Sequence, residues 1–318
     1  MTTPVFLFPG QSSRYPGMFE RLFERAPEEA RTAVGVASEV LGRDLRAHYH
    51  PSNEGAFLTN RDVQLAVFIA NHIYKCALER AGVRADYSLG LSLGEYNHLV
   101  HIGAIDFDDA VELIDARGAA YDAGPEGVMV SVFPLPVDEL EPVLAAARAH
   151  GPLFVANLNS PTQNVIAGSR AAVEAAVAAL EEEHGCSCVL IEQRIPMHSP
   201  TFRPTADLFR PALERAPWRR PELPYLPNVI GRFEDDARPE RIVEHLTRHV
   251  YSPVYWRASI DYVGELVPDA AFIEVGPRAV LYNLLSRSWR KNRRFKTDHG
   301  DEAPRPLTEL AMELAHGA

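Results

Sequence analysis

Tyr87-Ser88-Leu89-Gly90-Leu91-Ser92-Leu93-Gly94-Glu95-Tyr96 is the stretch on which the fold turns. It contains Gly-x-Ser-x-Gly, the pattern of a nucleophile elbow: a short strand, a sharp turn at the serine, and a helix directly after. Such a turn holds the serine in a sparsely populated backbone conformation and presents its hydroxyl at the head of the helix. Gly90 and Gly94 leave room for the strand and helix backbones to pass close together. The helix start supplies unpaired N–H groups and a partial positive charge, which suit an oxyanion. The plain alternative is an ordinary Gly-Ser turn. The flanks favour the elbow: Ala81 to Leu89 reads as a helix end followed by a strand, and Leu93 to Ile102 as an apolar helix.

Upstream, Val5-Phe6-Leu7-Phe8 is a short buried-strand run closed by Pro9-Gly10. Gln11-Ser12-Ser13 follows at the strand tip, where α/β proteins carry binding groups. Helical spacing of apolar residues runs from Met18 to Leu45 and from Asn60 to Ala81. Asp106 to Tyr121 reads as an amphipathic helix with acidic residues in its first turn. The character changes near Gly124-Pro125-Glu126-Gly127. Strands are expected at Val128 to Phe133, Leu153 to Asn157, Asn164 to Ala167 and Ser187 to Ile191, with helices at Val137 to Ala149 and Arg170 to His184. This β-α-β-β-α-β order predicts a ferredoxin-like α+β subdomain over 127–197, inserted into a large domain made of 1–126 and 198–318. Beyond it, helices are expected at Pro200 to Leu213, Pro239 to Val250, Tyr255 to Leu266 and Val280 to Trp289. Ala271 to Val275 reads as a strand, and Thr308 to Ala315 as a last helical stretch.

The 318 residues suffice for one large domain with an insert. A hydrophobic fraction of 46% and a charged fraction of 24% are ordinary for a globular protein. No apolar run reaches the length of a membrane span, and the first residues lack the basic start and long apolar region of a signal peptide. Cys76, Cys186 and Cys188 are an odd set without zinc spacing, which points to a reducing cytoplasm and no metal. A formal net charge of −11 argues against nucleic-acid binding.

A serine needs a base to take its proton at neutral pH. Of the 12 histidines, His198 stands out, because Arg194-Ile195-Pro196-Met197-His198-Ser199-Pro200 lies where the insert rejoins the large domain. A surface histidine beside a turn is the competing reading. His98 and His101 sit on the helix after the serine and point away along its axis. His249 is a second candidate for the cleft. Arg117, near the end of an amphipathic helix, is either a terminal arginine favoured by the helix dipole or a two-pronged clamp for an anionic group.

Taken in order, Phe8-Pro9-Gly10-Gln11-Ser12, Gly90-Leu91-Ser92-Leu93-Gly94-Glu95, Arg117-Gly118, Asn159-Ser160-Pro161-Thr162-Gln163-Asn164-Val165-Ile166-Ala167-Gly168, His198-Ser199-Pro200, Pro253-Val254-Tyr255-Trp256 and Glu274-Val275-Gly276-Pro277 form a set. This set resembles the malonyl-CoA:acyl-carrier-protein transacylases and the acyltransferase domains of polyketide synthases, including standalone, trans-acting types. The resemblance implies an α/β-hydrolase-like large domain with a parallel sheet, carrying the ferredoxin-like insert. It implies Ser92 as the acylated nucleophile and His198 as general base and then acid. Gln11 and Leu93 would lend backbone N–H groups to an oxyanion hole, and Arg117 would hold a malonyl carboxylate. A backbone carbonyl at His249 would orient the base. The reaction implied is ping-pong transfer of a malonyl-type group, in fatty-acid or polyketide biosynthesis. It runs from a coenzyme A or carrier thioester through Ser92 to the phosphopantetheine thiol of an acyl carrier protein. Coenzyme A thioester enters as substrate and no cofactor is expected; the chain is expected to act as a monomer.

The sequence departs from that family in four places. Leu91 replaces the usual His before the serine, and Ser12-Ser13 replaces a Gly-Ser-Gln run. Met197 sits beside the base, where it helps to shape the acyl pocket together with Leu91, and Arg278 follows Gly276-Pro277 in place of a small residue. These departures leave the acyl group open. They also leave open an editing hydrolase that clears carrier proteins, a transferase for an unusual non-malonyl group, and a non-catalytic docking protein. Because a carrier protein is acidic, docking calls for a local basic surface. Arg287, Arg290, Lys291, Arg293, Arg294 and Lys296 offer one, unless they form a solvated charge run.

Overall fold

The computed structural model describes residues 2–286, 288–299 and 307–316. In chain order the first half gives β1 (Thr3–Phe8), α1 (Met18–Arg25), α2 (Pro27–Leu41), α3 (Leu45–His48), α4 (Asn60–Arg80), β2 (Tyr87–Gly90), α5 (Gly94–His101) and α6 (Phe107–Asp122). There follow β3 (Val128–Phe133), α7 (Val137–Ala147), β4 (Leu153–Leu158), β5 (Asn164–Gly168), α8 (Arg170–His184) and β6 (Ser187–Glu192). The remainder is α9 (Arg203–Arg215), α10 (Pro239–His249), α11 (Trp256–Leu266), β7 (Ala270–Glu274), α12 (Val280–Leu284), β8 (Arg293–Lys296) and α13 (Leu307–His316).

Two sheets result. β2-β1-β7-β8 is a parallel sheet, with Val5 opposite Tyr87 and Phe8 opposite Gly90 on one side of β1, and Leu7 opposite Glu274 on the other. The strand period of two divides β1 between two cores. Phe6 and Phe8 pack in the layer that holds α4, with Leu65, Phe68, Ile69 and Ile73, whereas Val5 and Leu7 pack with Leu89, Trp256, Ile260 and Val263 of the opposite layer. A sheet covered on both faces explains why β1 reads as a continuous apolar run. The second sheet, β4-β5-β3-β6, is antiparallel, and Val130, Val132 and Ile166 pack against Leu140 and Leu144 of α7 and Val173 and Leu180 of α8. This is an α/β fold with a ferredoxin-like second layer pair. The two parts are stitched together where Leu158 N–H donates to Val254 O (3.0 Å) and Val254 N–H donates to Ala156 O (2.9 Å).

Two expectations need correction. The helical stretch from Met18 to Leu45 is three helices, because Pro27 opens α2 and Gly42, in the left-handed region at φ 62°, closes it. The helix expected to run to Trp289 stops at Leu284. The basic run that follows, expected as a docking surface, is for the most part built into the fold. Arg293–Lys296 is a strand parallel to β7. Arg290 donates to Ile260 O (3.0 Å) and Asp261 O (2.6 Å), and Arg294 to Tyr282 O (2.8 Å) and Leu285 O (2.5 Å). Arg293 reaches Glu313 O at 3.3 Å, so Lys291 is the exposed member of the run among the described residues, and Arg287 lies outside them. Among the described residues, no helix is long and apolar enough to cross a membrane.

Candidate active site

The elbow forms because two glycines permit it. A Cβ on Gly94 would sit 2.0 Å from Phe8 O, and one on Gly90 would sit 2.0 Å from the Gly94 carbonyl. Without them α5 could not begin directly above the ends of β1 and β2. Ser92 sits at φ 53°, a left-handed conformation costly for a residue with a side chain. His198 sits at φ 58° in its own turn. Two strained non-glycine residues thus face each other: Ser92 Oγ lies 2.7 Å from His198 Nε2.

The other ring nitrogen of His198 lies 2.8 Å from the His249 carbonyl. A carbonyl only accepts, so Nδ1 carries the ring proton and Nε2 presents its lone pair to the Ser92 hydroxyl. His198 is 2% exposed. Burial pushes its pKa down to about 3, with the His249 carbonyl pulling the other way and Arg117 adding to the depression. The base therefore rests neutral and ready to accept. Among the described residues no carboxylate touches the His198 ring nitrogens, so the pair is a dyad with a carbonyl as its third member.

Gln11 begins the short turn after β1, and Leu93 is the residue at the head of α5. The β1 and β2 tips are adjacent, and a Cβ on Gly10 would stand 3.8 Å from the Ser92 Cβ. The Gln11 side chain is held by Asn60 (3.3 Å) and its carbonyl by Arg14 (3.3 Å). Neither the Gln11 nor the Leu93 amide has an acceptor among the described residues. Two free N–H groups beside a nucleophile are the equipment of an oxyanion hole.

Arg117 is 1% exposed although it carries a full charge. Its Nη1 donates to Gln64 Oε1 (2.6 Å), and its guanidinium lies 4.2 Å from the Tyr121 ring centroid and 5.3 Å from that of Tyr96. Nε and Nη2 are buried without a hydrogen-bond partner. A buried cation with idle donors is expensive unless an anion arrives. Its charge bears on both His198 and His249, so the guanidinium lies near the dyad. Met197 is buried beside the base and Leu91 is half-buried beside the serine.

Several residues of the site went unseen in the sequence. Asn228 accepts from Ser92 N–H (2.7 Å) and donates to Gly90 O (2.7 Å), bracketing the elbow. It sits in a proline-rich stretch without periodicity, so nothing marked it. Glu95 was visible inside the elbow motif but had no role. It is fully buried, accepts from Tyr225 OH (2.6 Å) and Asn228 N–H (3.2 Å), and lies 3.2 Å from His249 Nδ1. His98 and His101 are engaged away from the dyad: His98 joins Ser88 Oγ (2.7 Å) and Leu226 N (3.0 Å), and His101 joins Ala85 O (3.0 Å). The acidic residues that come together are Asp106, Asp108 and Asp109 at the start of α6, and Asp106 pairs there with Arg219.

Residues 5–303 match the acyl transferase domain family. A malonyl CoA-acyl carrier protein transacylase of Bacillus subtilis is 31% identical over 306 residues, spanning 93% of each chain. The crystal structure of a malonyl CoA-acyl carrier protein transacylase from Clostridium perfringens superimposes with a TM-score of 0.87 at 28% identity, covering 99% of this chain and 98% of that one. A malonyl-transacylase solved in complex with a type II PKS acyl-carrier protein gives a TM-score of 0.87 at 27% identity, covering 98% of this chain and 99% of that one. The chain is an enzyme of the acyl transferase domain family.

Proposed function

We propose that the chain moves a malonyl group from coenzyme A, through an ester on Ser92, to the phosphopantetheine thiol of an acyl carrier protein. The observation that carries this reading is Arg117: a buried guanidinium with two idle nitrogens, whose charge reaches the histidine of a serine-histidine dyad. A free carboxylate at the far end of the acyl group would satisfy both nitrogens in a fork geometry. The names of the relatives support the same donor and acceptor.

The steps follow from the geometry. Ser92 Oγ attacks the thioester carbonyl while its proton passes to His198 Nε2 across 2.7 Å. The carbonyl oxygen becomes an oxyanion and is met by the Gln11 and Leu93 amides. The His249 carbonyl keeps Nδ1–H in place while the ring is positively charged. Collapse breaks the C–S bond, and Nε2–H protonates the leaving thiolate. The malonyl ester stays on Ser92 until a carrier thiol enters. His198 then takes the thiol proton, the sulfur attacks the ester, and the proton returns to Ser92 Oγ. Nothing in this sequence requires a metal or cofactor, and coenzyme A is substrate only. The free thiols of Cys76, Cys186 and Cys188 fit a reducing cytoplasm.

Incubation with malonyl-CoA and acetyl-CoA tests the reading. It predicts a malonyl ester on Ser92 that forms much faster than the acetyl ester. Equal rates would remove Arg117 from the carboxylate and reopen the choice of acyl group.

A further inference from the structure

The dyad has two halves, and they come from distant parts of the chain. Ser92 belongs to the β2–α5 turn, whereas His198 is held by the carbonyl of His249 at the end of α10. One buried carboxylate touches the supports of both. Glu95 Oε2 accepts from Asn228 N–H (3.2 Å), and the Asn228 side chain grips Ser92 N–H and Gly90 O at 2.7 Å each. The same Oε2 lies 3.2 Å from Nδ1 of the His249 ring. That ring is stacked on the His198 ring, with centroids 4.9 Å apart and planes inclined by 25°. Glu95 Oε1 is fixed separately by Tyr225 OH at 2.6 Å.

We infer that Glu95 is a positioning residue for acyl transfer, bracing the nucleophile through Asn228 and the base through the His249 ring. The inference rests on the reading of Ser92 and His198 as the acyl-transfer dyad. A second consequence is electrostatic. During attack His198 becomes an imidazolium in a buried place where, among the described residues, no carboxylate touches its ring nitrogens. Glu95 stands one stacked ring away and offsets that charge only when ionised.

Burial raises the Glu95 carboxyl to about 7, against the hydrogen bonds from Tyr225 and Asn228 and the charge of Arg117. Among the groups around it, the buried phenols of Tyr96 and Tyr121 keep their protons, since burial holds both above the usual phenol value and the Glu95 charge adds to this. Tyr225 keeps its proton throughout, since burial and Glu95 hold its pKa well above the usual phenol value. His249 is held neutral by burial, by His198 and by Arg117, and His98 is depressed to about 3 by burial. His198 itself titrates far below neutrality. Among these neighbours Glu95 is the group that changes charge near pH 7, and the acylation rate should fall as pH drops through that value.

The test is the rate of Ser92 acylation by malonyl-CoA, read by rapid quench and mass spectrometry between about pH 5.5 and about pH 8.5, for wild type and Glu95→Gln. The glutamine keeps the volume and loses the charge. Loss of a hydrogen bond to a charged group predicts at least about a tenfold fall in the rate at saturating malonyl-CoA, with KM unchanged and the limb near pH 7 gone. A folded variant with the wild-type rate and profile overturns the inference, as does a change confined to KM. If Glu95→Gln does not fold, His249→Phe and His249→Asn replace it. Phenylalanine keeps the stacked ring without the polar contact, and asparagine restores a polar nitrogen near Nδ1. Asparagine should be about tenfold faster than phenylalanine, and equal rates overturn the inference. A wild-type enzyme that is not acylated at Ser92 marks failure of the underlying reading instead.

Discussion

Arg117 Nη1 donates to Gln64 Oε1 at 2.6 Å, and that single bond aims the guanidinium. It is possible because α6 lies directly on α4: a Cβ on Gly118 would sit 2.3 Å from Arg61 Cα. The remaining nitrogens are buried without hydrogen-bond partners. Removing one member of a buried ion pair costs about 3–5 kcal/mol. Arg117→Ala should therefore slow malonyl transfer by at least about a hundredfold and spare acetyl transfer. Parallel assays with the two thioesters check this; equal losses for both would rule out the clamp.

The elbow makes a sharper structural prediction. Gly94→Ala drives a Cβ to 2.0 Å from Phe8 O, which is backbone and has nowhere to go. The expected cost is about 3 kcal/mol of stability. Ser92 should also lose its place opposite His198, so a serine-directed fluorophosphonate should label the variant far more slowly than wild type. Denaturant unfolding and labelling rates on one preparation check both. Normal labelling would show that the elbow tolerates a displacement that the geometry forbids.

The basic run near the C-terminus divides into anchors and surface. Arg294 donates to the Tyr282 and Leu285 carbonyls and lies 4.4 Å from the Tyr282 ring centroid. Arg294→Ala should lower stability by about 1.5–3 kcal/mol. Lys291 is exposed, and Lys291→Ala should leave stability within about 0.5 kcal/mol. Chemical denaturation distinguishes the two. An Arg294 variant as stable as wild type would return that residue to the free surface.

How far the sequence told this in advance differs from element to element. β3 and α8 fall where the sequence places them: β3 is an apolar run whose Val128, Val130 and Val132 join the core of the insert while Met129 is buried on the other side, and α8 buries one stripe of Ala172, Val173, Ala176 and Leu180. The elbow was legible because Gly-x-Ser-x-Gly encodes a steric demand that few other contexts make. His198 was legible through its position at the end of the insert. β8 was not, because Arg-Arg-Phe-Lys is a half-buried edge strand whose cations bond to carbonyls of other segments. Asn228 and Gln64 were not, because their roles exist only once distant segments meet. Glu95 lay in plain sight, yet its burial depends on Tyr225, Asn228 and His249, which the chain supplies more than a hundred residues later.

The most direct test is the mass of the intact protein after malonyl-CoA, then after addition of a carrier protein bearing phosphopantetheine. The account predicts one malonyl group on wild type, located at Ser92, none on Ser92→Ala, and discharge to the carrier much faster than to water. An unmodified wild type, an adduct that survives Ser92→Ala, or an ester lost to water as fast without carrier as with it would contradict the account.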